Sequence, residues 1–125
     1  MFNFTGKKPN NLGVTDGKLT ACPGTPNCVS SQSNDAQSQI EPLPMVSMAE
    51  IKQVVQGMER TTIIEETDKY LYAEFKSKLM GYVDDVEFYL DSDANVVQVR
   101  SASRLGKSDL GVNRKRVEEI RSKLK

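Results

Sequence analysis

The sequence contains no histidine and no tryptophan. Without histidine the chain lacks the side chain that most often serves as general base, proton shuttle or metal ligand near neutral pH. A Ser–His–Asp triad is excluded, so any catalysis must run on carboxylate, serine, cysteine, tyrosine or lysine. Net charge is also missing: 17 Lys and Arg stand against 17 Asp and Glu. No overall field draws the chain to nucleic acid or to an anionic lipid surface. No apolar run approaches the roughly 20 residues that a membrane-crossing helix needs. Residues 1–11 lack the apolar core of a secretory signal. Leu19-Thr20-Ala21-Cys22 spells a lipoprotein cleavage box, but polar, Gly-rich residues precede it instead of the apolar stretch such a box requires.

What is present fits one domain. A chain of 125 residues buries roughly two-thirds of its unfolded surface, enough for one core without staples. Apolar residues make up 38%, below the usual range of about 45–50%, which also counts Gly. The deficit falls in the N-terminal third. Residues 1–18 are rich in Gly, Asn, Lys and Pro without period, which predicts a flexible, extended arm ahead of a single domain over residues 19–125. Phe2 and Phe4 are candidates for docking that arm.

Cys22 and Cys28 flank a turn stiffened by Pro23 and Pro26, with Gly24 and Asn27 tolerant of turn geometry. Three states are open to them. A disulfide would contribute about 2–2.5 kcal/mol for so short a loop. Two reduced thiols would suit a reducing compartment. A metal would find two thiolates without histidine and with five intervening residues, a poor zinc site. No cofactor or metal is expected.

Gln32–Glu41 is polar and reads as a surface loop. Ser47-Met48-Ala49-Glu50 is a capping box, followed by Ile51, Val54, Val55 and Met58 at helical spacing, so a helix is predicted over Ser47–Met58. From Thr61 the period changes to two. Strands are predicted over Thr61–Glu66, Tyr70–Ser77, Tyr82–Leu90 and Val96–Ala102, separated by turn formers. Short connections make the simplest sheet a four-stranded antiparallel meander. Val117, Ile120 and Leu124 form the stripe of a C-terminal helix, and Asp109 is its candidate N-cap. The fold class is therefore α+β. Arg114, Lys115, Arg116, Glu118, Glu119 and Arg121 read mostly as a solvated helix face.

Pattern alone sets one register. Pairing Leu90 with Val97 and Phe88 with Val99 puts both apolar rows on one face. Val86 then faces Ser101, Asp84 faces Ser103, and Glu87 faces Arg100 on the other side. Asp84 and Asp85 point to opposite faces, so they are no acid/base pair of the glycosidase kind.

Asp84 ends a core row and needs a cation or donors. Arg104 or Arg114 is the expected supplier. Asn113 sits one turn before Val117 and should look inward, where it needs partners. Residues 97–114 hold three Arg, three Ser, a Lys, an Asp and an Asn around two Gly, more hydrogen-bonding capacity than a plain strand and loop require. The candidate ligand-binding set is Asp84, Arg100, Ser101, Ser103, Arg104, Ser108, Asp109, Asn113 and Arg114. Gly106-Lys107-Ser108 echoes the end of a phosphate loop, but the glycine required five residues earlier is Ser101.

Three motifs carry a resemblance: C-P-G-T-P-N-C-V-S-S at Cys22–Ser31, Y-V-D-D-V-E-F at Tyr82–Phe88, and R-S-A-S-R-L-G-K-S-D-L-G-V-N-R at Arg100–Arg114. In this order they resemble the bacterial and chloroplast family catalogued as domain of unknown function fourteen ninety-nine, over about Leu19 to Ile120. The resemblance supplies no activity. It implies that Cys22, Cys28, Asp84, Asp85, Arg100, Ser101, Ser103, Arg104, Ser108, Asp109, Asn113 and Arg114 belong together. Members of the family often sit behind a signal or membrane segment, which would suit a Cys22–Cys28 disulfide.

The leading expectation is a monomeric, non-enzymatic module that binds a small polar or anionic ligand, or a protein partner. It binds no nucleic acid and has no transmembrane segment. The alternatives are a histidine-independent hydrolase using Asp84 with Arg104 and Asn113, and a polar cluster that only locks its own loop. As given, the chain reads as cytoplasmic. With an oxidised Cys22–Cys28 pair and a leader removed, it reads as extracytoplasmic or thylakoid-side.

Overall fold

Alternation of apolar and polar residues builds the sheet, and its two faces have different fates. A computed structural model describes residues 6–78, 81–106 and 111–124. Element order is β1 (Val14–Thr15), β2 (Lys18–Leu19), β3 (Cys28–Ser30), α1 (Met48–Gln56), β4 (Thr61–Glu66), β5 (Tyr70–Lys76), β6 (Val83–Asp91), β7 (Val96–Ser103) and α2 (Val112–Lys123). The four predicted strands form an antiparallel meander, and the β6–β7 register is the one the pattern set, from Asp84↔Ser103 to Leu90↔Val97. Asn95 turns the chain between them at φ 57°, a left-handed conformation that asparagine tolerates.

The sheet has five strands, not four, in the order β3-β7-β6-β5-β4. The added strand, β3, pairs Val29 with Ser101 and Ser30 with Arg100. Further along the same edge of β7, Leu43 exchanges backbone hydrogen bonds with Val97 at 2.9 and 3.0 Å. A separate two-stranded sheet joins β1 to β2.

Both helices lie on one face. α1 starts at the Ser47 cap, whose Oγ accepts from the Glu50 amide at 3.1 Å, and buries Met48, Ile51 and Val55. α2 buries Asn113, Val117 and Ile120. Against them the sheet turns Leu71, Ala73, Val86, Phe88, Val97 and Val99, each fully buried. A side chain the size of Phe88 stabilises the fold by about 1.5–3 kcal/mol when removed from water. None of the described helices is long and apolar enough to cross a membrane.

The start of α2 corrects an expectation. Its N-cap position is Gly111, at φ 82° and without a side-chain cap. Asp109, the expected cap, lies outside the described residues together with Ser108; Phe2 and Phe4 lie outside them as well. Of the arm, residues from Gly6 onward are described. They run across the sheet face opposite the helices, where Leu12 and Leu19 pack with Tyr70, Tyr72 and Tyr89.

Candidate functional site

The expected single polar cluster divides into two, one on each face of the sheet. On the helix face, Asn113 is the hub. Its Oδ1 accepts from Ser101 Oγ at 2.6 Å, and its Nδ2 donates to Ser103 Oγ at 2.9 Å and to the Asn27 carbonyl at 3.2 Å. Arg116 donates to Asn113 Oδ1 at 2.8 Å and pairs with Asp84 at 2.8 Å. Its guanidinium lies 4.8 Å from the centre of the Phe75 ring, close enough for a cation–π contribution. This joins the start of β6 and the end of β7 to the beginning of α2. Asn27, between the two cysteines, extends the knot by donating to the Gly106 carbonyl at 2.7 Å.

The cation for Asp84 is therefore Arg116, not Arg104 or Arg114. The charge pattern of α2 places Arg116 with the solvated helix face. The signal that finds it is helical geometry: residues three apart share a face, so an inward Asn113 brings Arg116 inward. Arg114 instead points outward and donates to the Gln37 carbonyl at 3.0 Å.

Arg104 lies on the other face, because its position continues the β7 alternation that places Gln98 and Arg100 there. Its Nε and Nη2 bind Asp85 side-on, both at 2.9 Å, and Nη2 reaches Glu74 at 2.6 Å. Tyr72 donates its hydroxyl to the same Asp85 carboxylate and accepts from Arg104. Two parallel charge-assisted bonds of this kind are strong and directional. Hydrogen bonds to Asp85 are the first cause holding the Arg104 pKa above its ordinary value. Asp84, Arg104 and Asn113 thus do not converge, and the hydrolase built on them loses its geometry.

Beside this cluster, Glu87 and Arg100 face each other as the register required, but at 3.7 Å. Glu87 Oε2 accepts from Tyr70 and, at 2.7 Å, from the Gly13 amide. Glu87 Oε1 and Arg100 Nε have no hydrogen-bond partner among the described residues. Burial pushes the Glu87 carboxyl up and the Arg100 guanidinium down from their ordinary ranges, each against the partial offset of the other's charge. Burial first, and the carboxylate acceptors second, also raise Tyr70 and Tyr72.

Cys22 and Cys28 form a disulfide with Cα atoms 5.7 Å apart. Among the described residues, no group of three or more His, Cys, Asp or Glu could hold a metal ion.

The helix-face knot opens on one side to a groove of about 570 Å³ between the end of α1, the end of β5 and α2. Asp84 and Arg116 line it, with Phe75 as an apolar wall and Lys76 and Lys115 among its flanks. A family model, described as Protein of unknown function (DUF1499), matches residues 18–124. No curated protein matches the chain, and no solved structure does either.

Proposed function

The chain belongs to that family, whose description assigns no activity, and we propose that it is a non-enzymatic binding module that takes a small anionic ligand in the groove between α1 and α2. One observation carries this reading. The whole chain is neutral, yet the groove gathers five cationic side chains, Arg60, Lys76, Lys115, Arg116 and Lys123, against Glu59, Asp84 and Glu119. Low-dielectric walls concentrate such a local excess.

Two features support it. Arg116 is already oriented by Asp84 and Phe75, so little side-chain freedom is lost on binding. Val112, the first residue of α2, lines the groove, and the positive end of a helix favours an anion. On this reading Ser101, Ser103 and Asn113 are the lock that holds Arg116 and the groove's floor, already bonded to one another.

Thermal unfolding in rising concentrations of inorganic phosphate and of citrate tests it. At about ten times Kd, either anion should stabilise the fold by about 1.4 kcal/mol. The variant K76S/K115S should fold alike and lose that response. Equal stabilisation of the double variant, or none of the wild type by either anion, would refute the groove as the site.

A further inference from the structure

We infer that Cys22–Cys28 is a thiol-exchange site that latches an N-terminal strap, residues 6–22, over the charged face of the sheet, and that a dithiol reductant opens it. The two sulfurs are held differently. Cys28 is 1% exposed and fixed in β3, where its neighbours Val29 and Ser30 pair with Ser101 and Arg100. Asn27 before it is bonded to Gly106 and Asn113. Cys22 is only half-buried and ends the strap. It lines a hollow of about 340 Å³ together with Lys18, Pro23, Gln32 and Asp35, through which an incoming thiolate reaches its sulfur.

The exchange balances. A thiolate of the dithiol attacks Cys22 Sγ, the Cys22–Cys28 bond breaks, and Cys28 leaves as a thiolate that takes a proton. The second thiol of the reductant then attacks its own sulfur in the mixed disulfide and releases Cys22. Two electrons and two protons pass from the dithiol to the pair.

Apart from the latch, the strap is held by a small apolar cluster, in which Leu12 and Leu19 pack with Tyr70, Tyr72 and Tyr89, and by a few polar contacts. Gly13 donates to Glu87, Leu19 donates to Gln32 Oε1 at 2.9 Å, and Gln32 donates to the Gly17 carbonyl at 3.1 Å. Lys8 lies 5.3 Å from the centre of the Tyr72 ring. Its hairpin has two residues in each strand, far short of independent stability. No strap residue belongs to the main core, so the strap can leave without the core opening. Departure also gives water to Glu87 Oε1 and Arg100 Nε, which lack partners among the described residues while the strap is down. Buried polar atoms without partners thus favour release once the latch is cut.

Amide hydrogen exchange on the full chain, oxidised and then treated with dithiothreitol, tests the latch, with C22S/C28S as a reductant-independent copy of the open state. Loop closure sets the scale: exchange in residues 12–19 should rise roughly 10–50-fold, with β6 and β7 amides unchanged. Tyr70 and Tyr72 should then ionise at lower pH, read from tyrosinate absorbance, in both reduced protein and double variant. Unchanged strap exchange overturns the inference. So does strap and sheet opening together, which makes the bond a staple of the whole domain, and so does a native disulfide that dithiothreitol cannot reduce.

Discussion

At the scale of single residues, the arginines separate by what each leaves behind. Arg104 is 6% exposed in its side chain and neutralises Asp85, itself 1% exposed. Deleting one member of a buried pair leaves an uncompensated charge, which costs about 3–5 kcal/mol. Arg104→Ala should therefore lose about that much stability in urea denaturation, and Arg104→Lys should recover only part, because a point charge cannot replace the side-on fork. Arg114→Ala, which removes one exposed bond to Gln37, should change stability by less than about 0.5 kcal/mol. Equal losses for the two would contradict the geometry.

At the scale of elements, the β6–β7 pairing was legible because alternation leaves a single register with both apolar rows on one face. β3 was not legible. Its three residues, Cys28, Val29 and Ser30, are too few to show a period, and the Pro and Gly before them read as a turn. The division of the polar cluster was half legible: alternation sets Asp84 and Asp85 apart, but Arg104 lies beyond the predicted strand end at Ala102, where the period no longer assigns a face. α2 shows why the lock matters. Its apolar contribution to the core is Val117 and Ile120, with Leu124 partly buried, so polar bonds at its first turn carry part of its docking. Asn113→Ala would take the acceptor from the buried Ser101 hydroxyl and the donor from Ser103 Oγ, while the Asn27 carbonyl keeps the Ser103 amide at 2.9 Å; a buried group that loses its partner costs about 1–3 kcal/mol. A loss of about 3 kcal/mol is expected in urea denaturation, and groove binding of phosphate or citrate should weaken with it. A loss under 1 kcal/mol would show that apolar packing alone holds the helix.

At the scale of the whole molecule, the sheet separates two chemistries: an apolar core on one side and a buried charged layer on the other. The charged layer makes stability depend on pH through Glu87. Burial raises its carboxyl above the ordinary value of 4.5, so the folded state binds that proton more tightly than the unfolded state does. The stabilisation is complete below about pH 4.5 and is lost as pH rises through the raised value. Glu87→Gln keeps an acceptor for Tyr70 and Gly13 but cannot titrate. The unfolding free energy of wild type minus that of Glu87→Gln should fall as pH rises from 4 to 8, by about 1.4 kcal/mol for each unit by which the carboxyl is raised. The level of that difference also contains the loss of Arg100's charge partner, so only its slope reports the carboxyl. Urea denaturation of both proteins across this range supplies the slope. A flat difference, or one that grows with pH, would mean that Arg100 and the Gly13 amide hold Glu87 ionised in the fold, and the charged layer would then be an ion pair in full.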